Sequence, residues 1–374
     1  CCGPRWPLER RLWAGSCWGD RAQRGRAATG NPANRFHAMH SEAVNDGWSR
    51  EHEPPRLDTT LAVDSCRTVI TRNSSPDVPF DRSINPYRGC EHGCIYCFAR
   101  PTHAWLDLSP GLDFETRLFY RPDAAALLRE ELSHPAYRCA PVAIGANTDA
   151  YQPVERRLGL TREILEVMVE TSHPCVIITK SSLIERDLDL LARLAERGLV
   201  QVRVSLTTLD RQLARCMEPR AASPQRRLGI IRRLADKGIP AGVLAAPVVP
   251  VLTDPELESL LKSAREAGAQ SAGYILLRLP HEVKTLFRDW LDVNYPQRAA
   301  HVMNAVRETR GGRENDPRFG ARQTGSGVLA DMIASRFRLA VKRLQFPGPG
   351  GLDCRAFRSP AALRQPDLFG GMAG

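Results

Sequence analysis

Lysine is scarce in this sequence. Only Lys180, Lys237, Lys262, Lys284 and Lys342 stand among 52 basic residues, so arginine carries almost all of the positive charge. A GC-rich coding bias accounts for that as well as phosphate binding does. The net charge of +10 is also uneven: residues 1–40 hold Arg5, Arg10, Arg11, Arg21, Arg24, Arg26 and Arg35 against only Glu9 and Asp20. The charge permits a polyanionic partner without demanding one. Long apolar runs are missing too. Residues 1–20 show neither clean periodicity nor the unbroken apolar stretch of a secretory signal, and no function is assigned to them. The longest apolar run, AGVLAAPVVPVL at 241–252, is too short for a bilayer and holds two prolines. A cytoplasmic protein with no membrane partner is expected.

Eleven cysteines in a chain without an export signal point to thiols, metals or redox cofactors rather than disulfides. Three of them cluster. The stretch GCEHGCIYCFAR places Cys90, Cys94 and Cys97 within eight positions, and the other eight cysteines form no second C-x2-C pair. A second cluster is therefore not expected.

From residue 141 a short β-branched apolar run, a polar loop and an amphipathic helix recur. The expected strands are 141–146, 175–180, 200–206, 241–247 and 273–279, with one more before the cysteine loop. The helices between them are expected at 161–172, 183–198, 223–238 and 254–268, two of them closed by Gly198 and Gly238. Such alternation predicts an α/β fold with a parallel sheet, and six strands suit an incomplete (β/α)6 TIM-type barrel better than eight-fold closure. Residues 1–60 read as an irregular, flexible arm, 61–300 as the partial barrel, 301–346 as a helical extension and 347–374 as a flexible tail.

What needs three thiolates so close together? Structural zinc takes four ligands in paired half-sites, and the second half-site is missing, although zinc could recruit His92 or His103. Three cysteines on a 4Fe-4S cluster leave one iron open to a substrate or cofactor, and an open iron implies chemistry.

The run Cys90-Glu91-His92-Gly93-Cys94-Ile95-Tyr96-Cys97 resembles the C-x3-C-x2-C signature of the radical S-adenosylmethionine (SAM) superfamily. Tyr96 fits the aromatic which that family places beside the adenine. Residues of about 80 to 280 resemble the branch around spore photoproduct lyase, the DNA repair photolyase-like group. The resemblance implies a barrel of the radical SAM kind carrying a 4Fe-4S cluster and SAM. It implies one-electron cleavage of SAM to methionine and a 5′-deoxyadenosyl radical, lyase-like chemistry, and an electron donor such as flavodoxin or ferredoxin. In this branch a lysine and a serine on successive strands hold the methionyl carboxylate, and the matching residues are Lys180 and Ser205. Asn147, Thr148 and Asp149 occupy the segment that approaches the amino group, and residues 245–250 match the strand along the adenosine. Asp149 reads equally well as a helix cap.

Two positions depart from that pattern. Ala146 stands where the lyase has its hydrogen-donating cysteine, and Phe98 where it has a relay tyrosine. Repair of the thymine dimer by that route is not expected. Cys139 precedes the same strand and belongs near the opposite barrel mouth, so it does not replace the donor. No catalytic residue is assigned.

Two signals point toward nucleic acid. Gln365, Leu368 and Phe369 lie in a peptide similar to the sliding-clamp-binding motif, and Arg318, Arg322, Arg336, Arg338, Lys342 and Arg343 form a basic stretch that could track phosphates. The basic stretch reads equally well as a solvated helix face with cations near its C-terminus, so the substrate is left unidentified, with DNA or another nucleic acid as one class it could belong to. The alternative is a clamp- or nucleic-acid-associated binding protein whose cluster is structural or redox-sensing.

Overall fold

The structure is a computed structural model and describes residues 26–36 and 57–364. Its ten strands are β1 (Thr60–Val63), β2 (Ile70–Arg72), β3 (Arg82–Ile84), β4 (Tyr87–Arg88), β5 (Arg117–Tyr120), β6 (Val142–Ile144), β7 (Cys175–Thr179), β8 (Val200–Ser205), β9 (Ala241–Val248) and β10 (Ser271–Leu276). Seven form one sheet in the order β10-β9-β8-β7-β6-β3-β2. Its first six strands run parallel and β2 is antiparallel at the edge. The expected incomplete barrel is thus borne out, with β3 as the strand before the cysteine loop. A second sheet, β1-β5-β4, was not foreseen.

Strand chemistry explains the layering. Along β7, Cys175 and Ile177 are buried beneath the helices, while Val176 and Ile178 face the lumen half-buried. Successive side chains alternate between the two faces of a strand. The helices Leu160–Thr171, Leu188–Ala195, Pro224–Asp236 and Leu257–Glu266 close the outside with Ile164, Leu165, Leu191, Leu194, Ile230 and Leu261, all essentially inaccessible. Each such side chain stabilises the fold by roughly 1.5–3 kcal/mol. The final strand begins at Ser271, two residues earlier than its apolar run suggests, because Ser271 pairs with Gly242.

The two sheet edges are bridged by side chains instead of a seventh and eighth βα unit. Arg322 pairs with Asp77 and Ser75, and the Gly320 amide donates to Asp77 at 2.7 Å. Below the strands, residues 348–358 cross from the β10 side back to β6. The Gly348 amide donates to Gln270 O at 3.0 Å, Asp353 to Gly198 O at 3.2 Å and Arg358 to Thr171 O at 2.9 Å. This segment forms the floor of the lumen. Cys139, at the entrance to β6, lies against Cys354 of that floor, and burial first, then Cys354, pushes its thiol up to about 12.

The described part of the N-terminal region, residues 26–36, lies over the cysteine loop. Arg26, Ala27 and Ala28 are buried there. No helix among the described residues is long and apolar enough to cross a membrane.

Candidate functional site

The cysteine loop is shaped by two glycines and one buried arginine. Gly89 and Gly93 sit at φ +77° and +65°; a Cβ on Gly89 would come within 2.6 Å of Leu118, and one on Gly93 within 2.6 Å of the Glu115 carboxylate. Only glycine meets both the left-handed backbone and the lack of room. Arg100, fully buried, then gathers the loop. Its guanidinium donates to the carbonyls of Cys94 (2.9 Å), Gly93 (2.9 Å), Pro110 (3.0 Å) and Gly111 (2.9 Å) and pairs with Glu115 at 2.6 Å. Glu115 in turn accepts from the amides of Ala27 and Ala28. Gln152 holds the start of the loop, donating to Gly89 O at 3.2 Å and accepting from the Glu91 amide at 2.8 Å.

The loop caps a cavity of about 820 Å³ at the C-terminal ends of the sheet, within the range of small-molecule sites, roughly 300–1,000 Å³. Cys90, Cys94, Cys97, Tyr96, Asn147, Asp149, Lys180 and Ser205 all line it. Four strand-end and loop segments far apart in the chain therefore meet at one cavity. Thr148 is the exception among the residues singled out above: it is buried and donates to Tyr87 O at 2.7 Å. Asn147 is positioned through its amide, which donates to Asn85 at 2.9 Å.

Asp149 works as a clasp between loop and sheet. Its carboxylate accepts from the Lys180 amide (2.7 Å), the Thr179 hydroxyl (2.8 Å) and the Tyr151 amide (2.9 Å), and faces His92 Nδ1 at 3.3 Å. Burial alone would raise its pKa, but His92 and these donors outweigh it and hold the carboxyl below its usual range.

Lys180 Nζ donates to Ser205 Oγ at 2.6 Å and to Ala246 O at 3.3 Å, and lies 5.6 Å from the centroid of the Tyr96 ring. A residue that pattern reading missed controls this corner. Glu218, buried, accepts from the Tyr96 hydroxyl, from Thr207 at 2.7 Å and from Arg227, and stands 3.3 Å from Lys180. Burial opposes its ionisation, yet Arg227 and Lys180 keep it a carboxylate, with its pKa held well below the ordinary range. Arg227 is fixed in turn by Ser205 O (3.1 Å) and Ala222 O (2.8 Å). No local spacing signals Glu218, because its partners come from four separate segments.

The donor set can be tested against the two metal readings. Burial pushes all three thiols up, Cys94 to about 12; Cys94 and Cys97 further raise Cys90, and Cys97 raises Cys94. Buried thiolates therefore need a compensating positive charge, as a cluster supplies. Backbone amides already point at sulfur: those of Ala99 and Arg100 at Cys97, and that of Asp149 at Cys90. A single zinc fits less well. Among the described residues no three His, Cys, Asp or Glu side chains converge tightly on one ion. His92 is engaged by Asp149, and His103 Nε2 is turned to Arg117 O at 2.9 Å behind the loop. Three thiols with no fourth side chain fit a 4Fe-4S cluster.

Ala146 and Phe98 both line the cavity, Phe98 beneath the Arg278 guanidinium at 5.4 Å. Cys139 does not; it stands at the floor. In the basic stretch, Arg318 is paired with Asp316, Arg322 with Asp77 and Arg336 with Glu258 and Asp254, so half of its cations are already answered by carboxylates. The peptide holding Gln365, Leu368 and Phe369 lies outside the described residues.

Comparison with known proteins agrees with this geometry. Residues 84–264 match the radical SAM superfamily. The chain is 39% identical over 255 residues to an uncharacterized protein of Mycobacterium tuberculosis, covering 67% of this chain and 75% of that one. It is 25% identical over 221 residues to an uncharacterized protein of Methanocaldococcus jannaschii, covering 59% and 79%. Among solved structures, spore photoproduct lyase complexed with dinucleoside spore photoproduct aligns with a TM-score of 0.57 at 17% identity, over 77% of this chain and 80% of that one. A variant of that lyase with bound AdoMet and the same dinucleoside also aligns at 0.57, with 16% identity over the same shares. At this identity the likeness is one of fold.

Proposed function

Because this chain belongs to the radical SAM superfamily and is an enzyme of that type, we propose that Cys90, Cys94 and Cys97 hold a 4Fe-4S cluster and that the cavity beneath them takes SAM for reductive cleavage. The observation that carries this reading is the meeting of Lys180 with Tyr96 at 5.6 Å and with Ser205 at 2.6 Å. The cation and hydroxyl for a carboxylate thus stand at the cysteine loop itself.

A cluster held by Cys90, Cys94 and Cys97 would supply the single electron for reductive cleavage of SAM to methionine and a 5′-deoxyadenosyl radical. The protein's part is placement. Lys180 and Ser205 take the methionyl carboxylate, Tyr96 offers its ring to the adenine, and Asn147 approaches the amino group. Asp149 serves as the clasp that fixes Lys180 rather than as a free ligand, since its oxygens are already occupied. Arg100 and Glu115 keep the loop from relaxing.

Nucleic acid is the class in which to seek the substrate. The shared fold with a lyase whose structure holds a dinucleoside supports it. Ala146 and Phe98 argue for a different route of the hydrogen atom. The test is anaerobic reconstitution, reduction by dithionite or a flavodoxin, and assay for 5′-deoxyadenosine. Its formation from SAM is expected. A fully loaded protein that makes none would leave a binding protein with a structural or redox-sensing cluster as the better reading.

Lys180→Met should weaken SAM binding by roughly 10- to 100-fold, the loss of one charge-assisted contact of about 1.5–3 kcal/mol. Calorimetric titration of the reconstituted protein reads this directly. An unchanged affinity would remove Lys180 from the cofactor site.

A further inference from the structure

Along β8 the outward residues Val200, Val202 and Val204 are buried, while Gln201, Arg203 and Ser205 face the cavity. Ser205 is engaged by Lys180, and Gln201 donates to Gly350 O of the floor. Arg203 has no hydrogen-bond or ion-pair partner among the described residues, and burial alone lowers its pKa. It nonetheless remains charged, since a guanidinium is not deprotonated in proteins. Arg278, on the same cavity wall, shares this state: its buried Nε has no hydrogen-bond partner among the described residues, and its guanidinium lies over the Phe98 ring at 5.4 Å. Other interior arginines are answered. Arg100 is paired with Glu115, Arg227 with Glu218, Arg82 with Asp81, and Arg310 with four carbonyls.

Room for a ligand lies on the side of Arg203 toward Ile178 of β7, which lines the cavity with it; its other neighbour, Gly242 of β9, is closed over by Ser271. The charges facing the cavity favour an anion. Lys180, Arg203, Arg278 and Arg322 line it against Asp77 and Asp149; Arg322 and Asp77 answer each other, Asp149 is held by His92 and the Lys180 amide, and Lys180 stands 3.3 Å from Glu218, which leaves Arg203 and Arg278 as the cations without a carboxylate partner among the described residues. Below Arg203 the cavity ends on Pro349, Gly350 and Leu352.

We infer that Arg203 is a substrate subsite for a terminal oxyanion, phosphate or carboxylate, seated in the closed end of the cavity below Lys180 and Ser205. The inference rests on the radical SAM reading and deepens it. Arg203 lies two residues before Ser205, roughly 6.6 Å along the strand, so it is a separate station from the one proposed for the methionyl carboxylate. The closed floor means that the group ends there instead of passing through. A fork of N–H donors suits either oxyanion.

The test uses the full-length reconstituted protein and three probes: inorganic phosphate, thymidine 5′-monophosphate and succinate. Calorimetry compares wild type with Arg203→Gln and Arg203→Lys, with SAM titrated in parallel and thermal unfolding recorded. Wild type should bind the phosphate probes or succinate, and which of them binds identifies the oxyanion. Arg203→Gln should weaken that binding at least tenfold, Arg203→Lys should restore part of it, and SAM affinity should stay within about twofold. The melting temperature of Arg203→Gln should not fall, since the variant removes an unpaired charge. Equal affinity in wild type and Arg203→Gln, no binding of any probe, or a loss of SAM affinity in place of anion affinity each overturns the inference. Deoxyadenosine formation by wild type is scored separately, so the enzymatic reading can fail while anion binding persists, or stand while it does not.

Discussion

Replacing Arg100 with leucine is expected to lower the melting temperature by about 6–10 °C and to leave the chain unable to retain iron. Leucine fills much of the space but supplies no donor. Four carbonyls, those of Gly93, Cys94, Pro110 and Gly111, would lose their partner, and Glu115 would be left a buried carboxylate with the amides of Ala27 and Ala28 but no counter-charge. Removing one member of a buried pair destabilises by roughly 3–5 kcal/mol, far more than an exposed pair contributes. Against a total stability of about 5–15 kcal/mol that is a large share. The damage should be concentrated in the cysteine loop, since two of the freed carbonyls lie between Cys90 and Cys97. Arg100→Lys should recover only part, because a single ammonium cannot reach all five acceptors. Adding Glu115→Gln to Arg100→Leu should be less harmful than the sum of the single changes, for the stranded charge is then gone. Thermal unfolding and iron content measure both effects. An Arg100→Leu protein with normal melting and normal iron would show that the loop is held by something other than this network.

How much of this was legible beforehand depends on the distance over which each signal acts. The cysteine spacing and the strand ends carrying Lys180 and Ser205 are local, and the alternation of strand and helix from residue 141 repeats often enough to be read. Arg100 lies three residues beyond Cys97, yet nothing in GCEHGCIYCFAR announces that it turns inward; its role depends on Glu115 and on turns at 110–111. Glu218 is harder still, since Tyr96 lies 122 residues away. Arg203 looked like an ordinary charge in an apolar run. Only strand register, which pairs it with Ile178 and Gly242, turns it toward the cavity. The small sheet β1-β5-β4 was invisible for another reason. Its strands have two to four residues, and although Tyr87 and Leu118 are buried, each strand is too short for an alternation to repeat. Asp149 shows the opposite case. The helix that follows is capped at Val154 instead, and Asp149, on the cavity wall, is a clasp joining His92 to the peptide of Lys180.

Cys94→Ala should abolish deoxyadenosine formation, by at least about a thousandfold, while leaving the fold nearly intact; Cys175→Ala should do the reverse. Both thiols are buried, and burial pushes both up to about 12. Burial and acidity therefore do not distinguish them. What differs is the face of the structure each occupies. Cys175 points outward from β7 into the helix layer, with no charged group contributing to its pKa, and behaves as a small hydrophobe. Its loss should cost about 1 kcal/mol in packing and no iron. Cys94 opens on the cavity, under the influence of Glu218, Lys180 and Cys97. Ligation there must strip a proton from a thiol the apo site keeps neutral, which only a cation of the cluster can repay. Alanine in its place leaves two ligands, Cys90 and Cys97, and no neighbouring side chain able to move in, since His92 is held by Asp149 and His103 by Arg117 O. Iron and sulfide content, melting temperature and deoxyadenosine yield, measured on the two variants side by side, separate a ligand from a core residue. If Cys94→Ala kept its iron and its deoxyadenosine while Cys175→Ala lost them, the cavity beneath the cysteine loop would not be the site of chemistry.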